Sequence, residues 1–440
     1  MENINFINRR KKVLAQMNEG IAVIPSGTMK MRSNDTEFPF RQESNFYYLT
    51  GFNEPDALVF LCKNKKGTKS VLFLREKDPE MEMWAGKRLG VQAACKALDV
   101  DEVYDIKDLE ERLPELLEGY AELYMDSFND NAYLDTIKKV SGKLFQARGI
   151  DISPRNFIHL NTLLEKMRLI KESYEIEQIK KALSITAQAH HAAMAMVSSG
   201  MKEFEIQAII EYIFKKNGSK HDAYGTIVAG GNNANTLHYV ENSAVLNDGD
   251  LMLIDAGCEW NYYASDITRT SPVNGKFSAA QKELYEGILD AQSKIISMIK
   301  PGITKQQLQQ ESERLLTQVM LELGILKGTV DELVEKKEHK KYYPHGIGHW
   351  MGLDVHDTCP YKNDDGTEVV FEEGMVLTIE PAIYLPEDDT TIPAKFRGIG
   401  IRTEDNILVT SKGCENLSTQ IAKTIEEIEA ACKRDYREFL

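Results

Sequence analysis

Up to about residue 165, short apolar runs alternate with turn signals and with stretches of helical spacing. "IAVIPSG", "ALVFLCKNKKG" and "SVLFLREKDPE" are compact aliphatic and aromatic runs closed by Gly, Pro or Lys-rich turns, and they predict strands. "DLEERLPELLEGY" and "NAYLDTIKKVSG" place their apolar residues three and four apart and predict helices. The texture changes near Met167. In "KESYEIEQIKKALSITAQAHHAAMAMV" the residues Ile176, Ile179, Leu183, Ala187 and His190 share one helical face, with Ser173 as the expected N-cap. A domain boundary is therefore expected just before this helix, giving residues 1–167 and 168–440. His190, His191 and His159 have no partner spacing and are expected to pack or to face solvent.

The second part repeats itself weakly. "SGMKEFEIQAII" and "PGITKQQLQQES" share a Gly, then an apolar residue, then an aliphatic six positions beyond the Gly (Ile206 and Leu308), and each opens a helix after a turn. The second copy carries a Thr304 to Gln307 capping box. "NDGDLMLIDAG" and "FEEGMVLTIEPA" match as acidic-Gly turn, apolar strand and terminal carboxylate, Asp255 in one and Glu380 in the other. An acid that ends a strand usually faces solvent or caps a turn. Here more acids arrive with the first two. "AGCEWNYYAS" is suited to a hairpin that returns Asp266 beside Asp255, and alternation in "GIGIRTEDNILV" puts Arg402 and Glu404 on one face. Four carboxylates sharing a pocket raise each other's pKa and bury badly, so cations must sit among them.

The stretch "HGIGHWMGLDVHD" supplies three of the nine histidines. His345 and His349 are four apart, as in the helical HExxH zinc motif, but the Glu is missing and Gly346 and Gly348 weaken a helix. A glycine-punctuated loop that brings an imidazole to a metal remains. Four carboxylates with one imidazole make a hard, oxygen-rich donor set that suits Mn2+ better than zinc, and two divalent ions balance the four charges. Such a pair can bridge a water and lower its pKa, giving a hydroxide nucleophile for a carbonyl. The chain lacks a nucleophile elbow for serine chemistry.

Composition narrows the setting. The 440 residues, 42% hydrophobic and 28% charged, are ordinary for a folded globular protein of two or three domains. A net charge of −15 without a basic stripe argues against nucleic acid as a partner. The start carries no apolar h-region and no run approaches a membrane span, which predicts a cytoplasmic protein without a membrane partner. The six cysteines are scattered and are expected to be reduced packing residues.

"HYVEN" at His238, "LIDAG", "SDITRT", "HGIGHWMGLDVHD", "TIEP" and "GIRTED" together resemble the pita-bread metallopeptidases of family M24, nearest to the bacterial aminopeptidase P (Xaa-Pro aminopeptidase) group; "FPFRQESNFYYLTGFNEPDALVF" also resembles the first domain of that group. The resemblance implies a mixed α/β (α+β) fold, with a creatinase-like N-terminal domain serving oligomerisation and substrate access, then a pita-bread catalytic domain with an internal pseudo-two-fold repeat. It implies two Mn2+ ions held by Asp255, Asp266, His349, Glu380 and Glu404, with Asp266 and Glu404 bridging, Asp255 serving one ion, and His349 with Glu380 the other. By the same matching His238, His345, His356 and Tyr224 line the substrate cleft, Arg402 and Tyr384 assist proton movement, and Glu380 is the candidate base. Bacterial aminopeptidase P is a tetramer in which first-domain residues reach a neighbour's active site, and the matching positions are Asp35 and Trp84, so a homo-oligomer is expected. The implied activity is release of the N-terminal residue from peptides with proline in second place, by attack of a hydroxide bridging the two metals.

An X-Pro bond has no N–H for a peptidase to grip, and its leaving group is a ring amine that must be protonated. The nearest alternative is a prolidase acting on X-Pro dipeptides. A methionine aminopeptidase shares the ligands but normally lacks so large a first domain, and a peptide-binding protein that has kept only the fold would usually have lost ligands. Two departures stand out: Ala382 replaces the glycine of Glu-Pro-Gly-x-Tyr, where a special backbone conformation is expected, and "CPYKNDDGTEVV" lacks the arginines expected near the far end of the cleft.

Overall fold

The computed structural model describes residues 2–126, 128, 131–150 and 152–440. The chain divides into two compact units, Met1–Met167 and Arg168–Leu440.

The first unit is built on a six-stranded mixed sheet. Its strands run, side by side, Glu102–Asp105, Gly67–Leu74, Leu58–Asn64, Gly20–Pro25, Glu122–Met125 and Asn156–His159. Leu58–Asn64 runs antiparallel to both its neighbours, and the remaining neighbouring strands pair in parallel. All six residues of Gly20–Pro25 are buried, which is why this strand reads as a continuous apolar run rather than an alternation. Ile21, Val23, Phe60 and Phe73 on one face pack with Leu113 and Leu117 of helix Leu109–Leu117 and with Ile137 of helix Ala132–Gln146.

The second unit has two halves of like construction. In the first half, helices Ser173–Met196 and Glu203–Lys216 accompany a sheet of Ile227–Gly230, Leu251–Asp255 and Thr268–Pro272. In the second, helices Ala279–Met298 and Lys305–Glu322 accompany Val376–Ile379, Asp405–Val409 and Cys414–Asn416. The long helix that opens the unit is capped by Glu172 and not by the expected Ser173: the Glu172 and Glu175 side chains form a reciprocal box with the backbone. A carboxylate one residue earlier reaches the free N–H groups that the serine hydroxyl was expected to satisfy. On the expected face Ile179, Leu183, Ala187 and His190 are buried, while Ile176, on the first turn, is only partly covered. The box from Thr304 to Gln307 is present.

The two halves bring their acids to corresponding places. Leu251–Asp255 pairs antiparallel with Thr268–Pro272 so that Asp255 faces Thr268, two residues past Asp266. Val376–Ile379 pairs antiparallel with Asp405–Val409 so that Ile379 faces Asp405, which sets Glu380 beside Glu404. The link from Asp255 to Asp266 includes a tight hairpin, Glu259–Trp260 with Tyr263–Ala264, turned by Asn261 and Tyr262, both at positive φ (49° and 67°).

Buried polar contacts then stitch half to half. Asn406 accepts from the Asp266 amide at 3.1 Å and donates to its carbonyl at 2.6 Å. The Glu404 amide donates to the Thr268 carbonyl at 3.1 Å, and Arg269 donates to the Glu404 carbonyl at 2.6 Å and to Asp405 at 2.8 Å. Asp266 and Glu404 therefore hang from backbone that is held from the opposite half.

Candidate active site

Asp255, Asp266, His349, Glu380 and Glu404 converge on one cavity of about 440 Å³, which Tyr224, His238, His345, His356, Tyr384 and Arg402 also line. All belong to the second unit. Trp84 lies in the first, on helix Pro79–Ala85, with its side chain 81% exposed.

The histidine stretch is a loop, as its glycines predict. A Cβ on Gly348 would stand 1.9 Å from the Thr378 carbonyl oxygen, so only glycine lets the loop lie against strand Val376–Ile379. That approach is locked by the His349 amide donating to Thr378 Oγ1 at 3.0 Å and the Thr378 amide donating to the His349 carbonyl at 2.9 Å. The imidazole is oriented as well. Nδ1 lies 3.1 Å from the Trp350 carbonyl, an acceptor only, so Nδ1 donates there and Nε2 is turned toward the acids. Nε2 points at Asp266 (3.3 Å) and Glu380 (3.7 Å).

A second chain of contacts runs along the opposite wall. His345 Nδ1 donates to the Gly346 carbonyl at 2.8 Å, leaving Nε2 to accept from the Tyr384 hydroxyl at 3.0 Å. Arg402 donates to the Tyr384 oxygen at 2.7 Å, to Asp255 at 2.6 Å and to Thr268 Oγ1 at 3.0 Å, and Thr268 donates to Glu404 at 2.8 Å. His349 and His356 stand edge to face with ring centres 4.3 Å apart. Ala382 sits in strand Ala382–Leu385 and is not among the residues at positive φ, so its place does not require glycine.

Electrostatics show what the cluster is built for. Burial pushes Glu380 up to about 7, against the pull of His349 and Arg402. It pushes Glu404 well above the carboxylate range, with Asp266, Glu380 and Asp255 adding to the effect, and Asp255 is raised in the same way. Arg402 alone does not balance the four carboxylates gathered here. Asp255 Oδ1 is buried without a hydrogen-bond partner, and ligand atoms of Asp266, His349 and Glu404 all lie within 4.8 Å of one another. The four carboxylates, the free Asp255 oxygen and the oriented imidazole fit divalent cations with oxygen-rich coordination. Burial pushes His345 down to about 4 and lowers His356 also, so both are neutral imidazoles at neutral pH.

Motif reading missed several groups that hold the cluster in place and one that lines the cleft. Thr268, Thr378 and Asn406 position the acids. Gln309 accepts from the Ile347 amide at 2.7 Å and so tethers the histidine loop to helix Lys305–Glu322. Lys305, at the start of that helix, lines the cavity. Its only sequence signal was its place directly after the Thr304 cap.

Two strand-ended acid pairs and one imidazole at the junction of two like halves define a metal-dependent hydrolase. Residues 177–411 match the profile "Metallopeptidase family M24" and residues 6–124 match "Aminopeptidase P, N-terminal domain". The chain is 43% identical to the Xaa-Pro aminopeptidase of Haemophilus influenzae over 96% of each chain. It is similar in structure to Pseudomonas aeruginosa aminopeptidase PepP, with a TM-score of 0.95 and 41% identity over 98% of each chain. It is also similar to a zinc-substituted Escherichia coli aminopeptidase P in complex with product, with a TM-score of 0.94 and 39% identity over 98% of each chain. The chain belongs to metallopeptidase family M24, in its Xaa-Pro aminopeptidase branch, and has the pita-bread fold of that family behind an aminopeptidase P-type first domain.

Proposed function

We propose that this enzyme releases the N-terminal residue from peptides with proline in second place, with two divalent ions, manganese by preference, held by Asp255, Asp266, His349, Glu380 and Glu404. The observation that carries the reading is the meeting of these five side chains in one cavity, with the Arg402–Tyr384–His345 chain on its opposite wall. When bound, such ions polarise the scissile carbonyl and lower the pKa of a water. Glu380, next to His349 and within 3.9 Å of His345, is the group to take a proton from the attacking water. Tyr384, held by Arg402 and donating to His345, is placed to move a proton toward the departing proline nitrogen, which must leave as an amine. His238 and His356 face the cleft with polar edges and are assigned to the developing charge on the carbonyl oxygen. Both ring nitrogens of His345 are engaged within the protein, so it is assigned to act chiefly through Tyr384.

The donor set favours manganese because its oxygens are hard and no cysteine lines the cavity. Residues 1–167 are assigned to oligomerisation and substrate access in a cytoplasmic homo-oligomer, a dimer or a tetramer. Exposed Met83 and Trp84 on one short helix, with Met31 and Phe38 in and beside the hairpin that carries Asp35, support an assembly surface there. No helix among the described residues is long and apolar enough to cross a membrane.

The test is to incubate manganese-loaded protein with X-Pro dipeptides, X-Pro-Y tripeptides and Met-Ala-Y, and to follow the products. Release of the first residue from X-Pro-Y, with X-Pro much poorer, is expected. Equal or better turnover of the dipeptides would make the enzyme a prolidase. Rapid cleavage of Met-Ala-Y with none of X-Pro-Y would overturn both readings.

A further inference from the structure

Two cationic side chains line the cavity, and their states differ. Arg402 is fully occupied by Asp255, Tyr384 and Thr268. Lys305 makes no ion pair and no hydrogen bond among the described residues. Its ammonium rests instead over the Tyr361 ring, 4.2 Å from the centroid. That ring is itself fixed, stacked on Trp350 at 14° with its hydroxyl accepting from the Trp350 amide at 3.2 Å. Lys305 is thus a placed charge without an anion.

The surroundings favour an anion from outside. Lys305 is the first residue of the 18-residue helix Lys305–Glu322, whose N-terminal end adds positive potential at the same spot. Burial pushes the ammonium pKa down, and Glu380 and Glu368 oppose that only through their fields. A carboxylate beside Nζ would relieve this strain on the charged form. The α-amino end of a peptide would be repelled from the same place, so a substrate enters with its amine toward the four acids and its other end toward Lys305.

The reach between Lys305 and the acids leaves room for the carboxylate of a third residue. An ideal Cβ on Gly346 would lie 3.9 Å from Lys305 Nζ, so the ammonium sits beside Gly346. Gly346 precedes the metal-facing His349 by three residues, at most about 10 Å of chain. In an extended peptide the carboxylate of the third residue lies two residues, about 7 Å, beyond the scissile carbonyl, whereas that of a dipeptide lies only about 3.5 Å beyond it.

We propose that Lys305 is a specificity-determining residue that receives the C-terminal carboxylate of tripeptides, so that the enzyme selects X-Pro-Y with a free C-terminus over the same peptide ending in an amide. This rests on the X-Pro reading above. The contact is made equally in the ground and transition states, so the preference lies in KM and not in kcat.

The experiment compares kcat and KM for Ala-Pro-Ala and Ala-Pro-Ala-amide with the manganese-loaded wild type, Lys305→Met and Lys305→Arg. A charge-assisted contact of this kind corresponds to roughly 10-fold to 100-fold in kcat/KM. The wild type is expected to favour the free acid by about that factor, Lys305→Met to bring the acid-to-amide ratio close to one, and Lys305→Arg to keep most of it. Equal turnover of acid and amide by the wild type, or a Lys305→Met enzyme that keeps the preference, overturns the assignment of Lys305 and leaves the peptidase reading intact. Failure of the wild type to cleave either peptide overturns the X-Pro reading, and the Lys305 assignment with it.

Discussion

The three histidines of "HGIGHWMGLDVHD" differ in what their nitrogens face, and substitution should separate them. His349 turns Nε2 into the acid cluster beside Asp266 and Glu380, so His349→Ala is expected to lower occupancy of one ion and to abolish most activity. His356→Ala is expected to keep both metals and to lose on the order of 100-fold to 1,000-fold in rate, the usual cost of removing a group that meets the developing charge. His345→Ala is expected to keep both metals and to lose activity by releasing Tyr384. Elemental analysis of the purified variants checks this; metal lost from the His356 variant but not from the His349 variant would reverse the assignments. His190 makes a different prediction. It is wholly buried, its Nε2 lies 3.0 Å from the Ala256 carbonyl, and burial pushes it down to about 3. The folded protein therefore keeps this imidazole neutral where the unfolded chain, titrating near its ordinary value of 6.5, binds a proton. Its contribution is fully present above 6.5 and is lost as pH falls toward about 3, by up to about 1.4 kcal/mol per pH unit. In metal-free protein, urea unfolding of His190→Gln against wild type should show the variant gaining relative stability from pH 7 to pH 4.5. A constant difference would show that His190 does not titrate on unfolding.

Two close backbone approaches, one in each half, set the segments that carry Asp266 and His349. A Cβ on Gly257 would stand 1.8 Å from the Ser265 carbonyl oxygen, and one on Gly348 would stand 1.9 Å from that of Thr378. In each case the obstacle is backbone, which cannot swing aside as a flexible side chain does. Gly257→Ala and Gly348→Ala are each expected to destabilise the fold by about 1–3 kcal/mol or more, and to reduce metal affinity by displacing Asp266 or His349. Thermal unfolding with and without metal measures both effects. Unchanged stability with full metal content would show that the segments relax freely. The repeat visible in "NDGDLMLIDAG" and "FEEGMVLTIEPA" already marked these two strands as equivalents, because an apolar run ending in an acid is a local pattern. The clasp of Asn406 on Asp266 joins residues 140 apart in sequence and leaves no such pattern.

At the scale of the whole molecule, exposed apolar side chains of the first unit bear on assembly. Exposed Trp84 and Met83 (81% and 83%), close along helix Pro79–Ala85, make more apolar surface than an isolated short helix usually leaves in water. Light scattering of the purified protein is expected to give a dimer or a tetramer, and Trp84→Ala to weaken it. A fully active monomer would show that the first unit serves neither assembly nor a neighbour's site.

The five side chains proposed as ligands were implied in the chain only by its likeness to the motifs of family M24, whereas the strand ends at Asp255 and Glu380 and the loop nature of the histidine stretch were legible from local pattern. Each of these local features depends on neighbours a few residues away: apolar periodicity, a glycine that disfavours helix, an acid at the end of a run. The cap on the long helix was misplaced by one residue, because Glu172 and Ser173 both offer an oxygen and only the settled backbone shows which one reaches the free amides. Tertiary structure alone decided that Arg402 is spent on Asp255 and Tyr384, that Thr268 bonds Glu404 across the two halves, and that Lys305 enters the cavity over Tyr361. Such partners lie tens of residues or more apart, and they meet because burying two apolar half-sheets and their helices fixes the backbone. The charge each side chain then faces follows from that packing.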